Sequence, residues 1–118
     1  MANASRMAVA RASLRGRSGT SYDFEVYLTP ARFRDVEAVY VYARFEPNLG
    51  EGARYAPLSI GQTAELGKET SRHPRWSCLE ARGCNCICIL PVATEEKRLA
   101  IEADLRAAYP APCDDEGR

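Results

Sequence analysis

The chain has 118 residues, 46% of them hydrophobic and 27% charged, which is the composition of one ordinary globular domain with one modest core. No apolar run approaches the roughly 20 residues that a membrane-spanning helix needs, so we expect no membrane partner. The 16 basic and 16 acidic residues cancel, which excludes a strongly basic, nucleic-acid-coating protein.

The charge is unevenly distributed along the chain. Residues 1–21 contain no acid and four arginines, Arg6, Arg11, Arg15 and Arg17. The remaining residues therefore hold 12 basic and 16 acidic groups. Because phosphate neutralisation supplies much of the affinity for DNA, that balance does not favour DNA as the partner of the folded part. We expect residues 1–21 to form a flexible basic arm, which would make the contacts if DNA is bound.

Residues 22–118 are predicted to form one domain with the element order β-β-β-α-β-α. Alternating or β-branched and aromatic patterns predict four strands, at residues 22–28, 37–45, 57–63 and 84–92. A helix is expected from Thr63, its N-cap, to about Ser71, and a longer one from Thr94 to the residue before Pro110. The pattern indicates an α+β fold, with a small, mainly antiparallel sheet of three to four strands flanked by helices.

Five cysteines occur, at positions 78, 84, 86, 88 and 113. Without a secretory leader we expect a cytoplasmic protein with reduced thiols. Cys84, Cys86 and Cys88 alternate along a predicted strand, so their thiols should project from one face. This spacing favours core packing over a tetrahedral zinc site, while a redox or metal-binding thiol module is a further hypothesis.

Short motifs occur between about residues 33 and 115 on predicted strands and helices, in this order: Ala38-Val39-Tyr40, Ser59-Ile60-Gly61, His73, the helix around Glu102 and the tail around Asp114. The ordered set resembles the GIY-YIG nuclease superfamily. In that superfamily one divalent cation, held by a glutamate and the substrate phosphate, stabilises the leaving group. A tyrosine helps to activate water, and an arginine on the first helix compensates the charge on the phosphorane.

The resemblance implies roles for individual residues. Glu102 falls at the metal position, for Mg²⁺ or Mn²⁺ if the site is active, and Tyr40 falls at the first tyrosine. Ser59, however, stands at the second tyrosine, and Glu69 stands at the arginine. Serine lacks the reach and acidity of a phenol, and a carboxylate repels the phosphate that a guanidinium would bind.

Three further positions bear on the charge of the site. Arg72, one helical turn from Glu69, is the nearest substitute cation, while Asp114 adds a negative charge. Glu102 lies four residues from both Arg98 and Arg106, which fits a surface ion-pair ladder as well as a metal site.

The favoured hypothesis is a GIY-YIG-like domain with a degraded nuclease site, acting as a non-catalytic binding or interaction module for an unidentified ligand. The alternative is a divergent, divalent-metal-dependent DNA endonuclease. It would use Tyr40, Arg72, His73 and Glu102, with the basic arm on DNA.

Overall fold

The structure is a computed structural model that describes residues 7–48, 52–71 and 73–115. The elements of these segments follow in chain order as β1 (Ala10–Arg15), β2 (Ser21–Leu28), β3 (Ala38–Asn48), β4 (Gly52–Thr63), α1 (Leu66–Ser71), α2 (Trp76–Ala81), β5 (Cys86–Pro91), α3 (Glu95–Ala108) and α4 (Pro112–Asp115). Across these segments, none of the helices combines the length and the apolar character needed to cross a bilayer.

The strands form one antiparallel sheet in the order β1-β2-β5-β3-β4. The α+β prediction is confirmed, but the described sheet has five strands where three to four were expected. β5 lies at the centre because its residues from Cys86 to Ile89 are buried and apolar on both faces. Tyr40 on β3 is opposite Gly61 on β4 and Ile89 on β5, so it stands in the middle of the sheet.

The additional strand, β1, corrects the expectation of a flexible N-terminal arm. β1 pairs with β2 along its whole length and buries Ala12 and Leu14, while Arg11 and Arg15 are exposed. The alternation is regular, but alanine and serine occupy several of its positions and weaken the hydrophobic signal. Arg6, which was assigned to the same arm, lies outside the described residues.

Each face of the sheet carries its own hydrophobic cluster. One, called here the α3 face, packs Phe24, Val39 and Val41 beneath Leu105 of α3. The other, called here the tyrosine face, is built from these buried residues: Tyr27, Ala38, Tyr40, Tyr42, Leu58, Leu66, Leu79, Ile87, Ile89 and Cys113. The period-two alternation of β3 puts its valines on the α3 face and its tyrosines on the other, where Tyr40 contacts Glu69 of α1 and Tyr42 contacts Trp76 of α2.

The two predicted helices are confirmed as α1 and α3, but α1 begins at Leu66, and Thr63, the predicted N-cap, is the last residue of β4. The Thr63 hydroxyl accepts the Glu65 N–H at 2.9 Å just before α1, while α3 begins directly after Thr94 without a side-chain cap bond. The short helices α2 and α4 were not predicted. They are joined by a disulfide between Cys78 and Cys113, so the expectation of reduced thiols is wrong for this pair.

The three remaining cysteines divide between the two faces. Cys86 and Cys88 are fully buried on the α3 face, where they fill the core. Cys84 lies before the first residue of β5 and packs against the tyrosine face. The prediction that all three thiols share one face is therefore wrong for Cys84, because the strand alternation begins only at Cys86.

Candidate functional site

A small pocket of about 250 Å³ opens at the β4 edge of the sheet, between β4, α1, α3 and α4. We call it the carboxylate pocket. Of the residues singled out in the sequence, the following line it: Tyr40, Ser59, Ile60, Gly61, Glu69, His73, Glu102 and Asp114. Ala38 and Val39 are instead fully buried within the sheet. Arg72, the predicted substitute cation, lies outside the described residues.

Gly61 allows the central tyrosine to occupy its position. A Cβ atom built at residue 61 would lie 2.5 Å from the phenol of Tyr40, which is its cross-strand partner on β3. Any larger side chain would therefore displace the ring. The close pairing explains the glycine physically: it makes room for a buried aromatic group on the neighbouring strand.

Tyr40 links Glu69 and His73 through its hydroxyl group. The hydroxyl donates a hydrogen bond to Glu69 Oε2 at 2.9 Å and lies 3.4 Å from His73 Nε2. His73 Nδ1 accepts the backbone N–H of Arg75 at 3.1 Å, so a neutral imidazole carries its proton on Nε2. The imidazole therefore donates to the phenol, and the phenol donates to the carboxylate.

Burial determines the protonation of this group at neutral pH. Desolvation, followed by the charge of Glu69, raises the pKa of Tyr40 far above that of a free phenol. Burial lowers the pKa of His73 below its usual value, although Glu69 and Asp114 act in the opposite direction. The phenol thus keeps its proton and the imidazole stays neutral.

The Ser59 side chain, which also lines the pocket, is hydrogen-bonded to Asp114. Its hydroxyl donates to Asp114 Oδ1 at 2.6 Å, and the backbone N–H of Ile60 donates to Asp114 Oδ2 at 2.9 Å. Ser59 is only 2% exposed. The carboxylate anchors the short helix α4 to β4, and the serine hydroxyl is used in that anchor.

Arg106 lines this pocket but was not assigned to the site by the sequence analysis. Its Nε and Nη2 atoms donate to the Ile60 carbonyl oxygen at 3.1 and 2.6 Å. Nη2 also lies 3.5 Å from a Glu102 oxygen and 3.4 Å from an Asp114 oxygen. The four-residue spacing from Glu102 was the available signal, but it indicated only a surface ion pair.

The predicted ladder on α3 is therefore half right. The Glu102–Arg106 pair forms, whereas Arg98 is 4% exposed and turned toward the sheet. Arg98 donates to the Gln62 side chain at 2.9 Å and to the carbonyls of Val92 and Ala93 at 3.0 Å each. Both arginines are four residues from Glu102, so helical spacing alone predicts the same pairing for each. The packing of α3 on β4 decides that Arg98 turns toward the sheet and Arg106 pairs with Glu102.

Glu102 lacks the companions of a resident metal ligand. Burial raises the pKa of its carboxyl group, while Arg106 acts to lower it. In the described segments, no three His, Cys, Asp or Glu side chains are grouped so as to hold a cation. Asp114, the carboxylate that shares Arg106 with Glu102, already accepts bonds from Ser59 and Ile60. The described side chains would therefore not hold a resident Mg²⁺ or Mn²⁺ without further ligands from a bound phosphate.

The charge of the pocket is slightly negative. Among its described lining residues the carboxylates are Glu69, Glu102 and Asp114, while Arg75 and Arg106 are the cations. Arg106 is directed at a backbone carbonyl and two carboxylates, so its charge is largely compensated within the pocket. The electrostatics favour a ligand with hydrogen-bond donors or positive charge over an anionic one.

Comparison with known proteins identifies no relatives. The sequence matches no protein-family model, no curated protein and no solved structure.

Proposed function

We propose that this chain is a GIY-YIG-like domain whose nuclease site is degraded and which acts as a non-catalytic binding module. The observation that carries the proposal is the hydrogen bond from Tyr40 to Glu69. At the position where the resemblance implies a phosphate-binding arginine, the chain has a carboxylate in contact with the central tyrosine. A phosphodiester placed there would meet negative charge in a partly buried site, which is costly.

The proton positions also argue against hydrolysis. Activation of water needs a group that can accept a proton. Tyr40 retains its proton, the Nδ1 lone pair of His73 takes the N–H of Arg75, and Ser59 donates to Asp114. Each candidate base or nucleophile is thus engaged in an internal hydrogen bond.

A nicking assay on supercoiled plasmid DNA tests the loss of catalysis. With Mg²⁺ or Mn²⁺, we expect the wild-type chain to produce no more nicked DNA than the Glu102→Ala variant. Metal-dependent nicking by the wild type that Glu102→Ala abolishes would refute the proposal.

A titration monitored by NMR tests the binding role. His73 is the one histidine of the chain, so its ring signals report on the pocket without overlap. An alkylguanidinium compound should shift these signals saturably, and Glu69→Gln should weaken its binding, whereas inorganic phosphate should bind more weakly than the guanidinium compound. Saturable binding of phosphate with no response to the guanidinium compound would contradict the proposed preference.

The second candidate function is a divergent metal-dependent DNA endonuclease. What favours it is the convergence of Tyr40, Ser59, His73 and Glu102 on one pocket. DNA contacts by the N-terminal arginines would then come from the β1 edge of the sheet, where Arg11 and Arg15 are exposed. The nicking assay with Glu102→Ala decides between the two functions.

A cysteine-dependent function is less well supported. Burial raises the pKa of Cys84 to about 11. The hydrogen bond between Cys86 and Cys88, together with burial, raises the pKa of Cys88, while the same hydrogen bond lowers that of Cys86. Cys86 and Cys88 are fully enclosed in the core. Reactive thiols need exposure and a depressed pKa, and these residues do not combine them.

A further inference from the structure

A second cavity of about 780 Å³ lies beside the carboxylate pocket on the tyrosine face, and His73 lines both. We call it the aromatic cavity, and the residues that matter for its chemistry are Arg32, Phe33, Tyr42, Thr70, His73 and Trp76. Sites for small organic molecules typically measure about 300–1,000 Å³. The cavity is therefore large enough to hold such a molecule.

Three aromatic rings form one continuous wall of the cavity. The centroid of Tyr42 is 5.0 Å from that of His73 and 6.1 Å from that of Trp76, with interplanar angles of 69° and 65°. Both contacts are edge-to-face, so in each pair only one of the two rings presents a face to its partner. Trp76 is 38% exposed, which is a large exposed fraction for the largest aromatic side chain. A flat ring in the cavity could cover it.

The charge of the aromatic cavity is opposite to that of its neighbour. Of the described residues that line it, Arg32 alone carries a full charge, since burial keeps His73 neutral. On the other side of His73 lies the carboxylate pocket, with Glu69 and Glu102. A small anion fits within the cavity, whereas a long polyanion that extended past His73 would be repelled.

We propose that the aromatic cavity binds a small planar aromatic anion, such as an aromatic carboxylate. The ring packs against Trp76 and Tyr42, and the acid group pairs with Arg32. Guanidinium and carboxylate form the strongest type of hydrogen-bonded pair, which gives the ligand its orientation. This binding is separate from the proposed function, because neither Glu69 nor Glu102 takes part in it.

The test uses the single tryptophan of the chain as the probe. In ¹⁵N-labelled protein the indole N–H of Trp76 gives one signal, which is followed while naphthalene-2-carboxylate is added. The matched neutral and cationic compounds are naphthalene-2-methanol and naphthalen-2-ylmethylammonium. We expect a saturable shift, with the carboxylate binding about tenfold more tightly than the alcohol and the ammonium compound binding most weakly.

Two variants with the same change of charge identify the contact. Arg32→Gln should abolish the preference for the carboxylate over the alcohol. Arg34→Gln removes a nearby exposed arginine that is not among the described lining residues, and it should retain the preference. The inference is overturned if the carboxylate gives no saturable shift, if the three compounds bind wild type equally, or if both variants lose the preference alike.

Discussion

Around Tyr40, individual side chains are controlled more by their surroundings than by their residue type. The phenol lies between a carboxylate and an imidazole. Burial keeps the phenol protonated and the imidazole neutral. Of the charged groups, Glu69 has the largest effect on the pKa of both rings. The Glu69 carboxylate therefore offsets part of the lowering of the His73 pKa that burial causes.

The first prediction concerns the pKa of His73. Glu69→Gln should lower it further, because the variant removes the negative charge that partly compensates burial. NMR titration of the imidazole signals measures this directly. Glu65→Gln is the matched control, since Glu65 lies just before α1 and pairs with Lys68 at 3.3 Å. An unchanged or raised His73 pKa in Glu69→Gln would mean that the carboxylate does not face the ring.

Among the elements, α3 is attached to the sheet at two points besides the Arg106 bonds to Ile60 of β4. Near its start, Arg98 ties it to β4 and to the carbonyls that follow β5. Farther along, Asp104 accepts hydrogen bonds from the Ser18 N–H at 2.8 Å, the Ser18 hydroxyl at 2.7 Å and the Tyr22 hydroxyl at 2.7 Å. The second attachment holds the β1–β2 turn, and with it the N-terminal strand, against the helix.

The second prediction is that Arg98→Lys destabilises the fold by about 2–4 kcal/mol. Lysine carries the same charge, but its single nitrogen cannot occupy both the position from which Nε binds Gln62 and the position from which Nη1 binds two carbonyls, and the site is buried. Urea unfolding measures the free energy. Lys97→Ala, an exposed change on the same helix, should stay within about 0.5 kcal/mol of wild type. Equal losses in the two variants would show that the guanidinium fork is unimportant.

The third prediction concerns acid stability. Hydrogen bonds from Ser18 and then Tyr22 lower the pKa of Asp104 below its usual 3.8. A carboxyl group whose pKa is lowered by folding stabilises the protein above its unfolded value, and that contribution is lost as the pH falls through the folded value. The melting temperature of Asp104→Asn should thus lie below that of wild type at neutral pH, with a gap that narrows in acid.

Glu96→Gln provides the control for this pH dependence, because Glu96 is exposed on the same helix. Its melting temperature should follow that of wild type across the same pH range. A gap between Asp104→Asn and wild type that stayed constant down to strongly acidic pH would contradict the assignment of the effect to the Asp104 charge.

At the scale of the whole molecule, the sheet is covered by α3 on one face and by short helices on the other. The short helices have little stability of their own, because four or six residues make few internal hydrogen bonds. The Cys78–Cys113 disulfide joins α2 to α4 across 35 positions of sequence. It also fixes Asp114, the next residue, against Ser59 in the carboxylate pocket.

The fourth prediction is that the double variant Cys78→Ala/Cys113→Ala loses about 3–4 kcal/mol of stability, because a closed loop of this length restricts the unfolded chain. Urea unfolding with and without dithiothreitol measures the loss. The reductant should destabilise wild type to a similar extent and leave the double variant unchanged. A wild-type curve that does not respond to reduction would argue that the disulfide contributes little.

The sequence predicted those parts whose signal is local. Residues 22–28 alternate and form β2, and the acidic start and proline stop of the last long helix correctly delimit α3. The motif order also singled out residues that the fold assembles around one pocket. β1 was missed because alanine and serine dilute its alternation, and α2 because Pro74 indicated an end rather than the start of another turn.

Local pattern by itself therefore determined the α+β class and most of the strands, while the order of the motifs pointed to several of the residues that line the carboxylate pocket. The tertiary structure decided how side chains are used, because that depends on contacts between distant segments. Only packing turns Arg98 inward and leaves Arg106 on the pocket, pairs Cys78 with Cys113, and brings Glu69 to the hydroxyl of Tyr40. The charges that govern binding are set at this second level, since desolvation and hydrogen bonding exist only after the chain has folded.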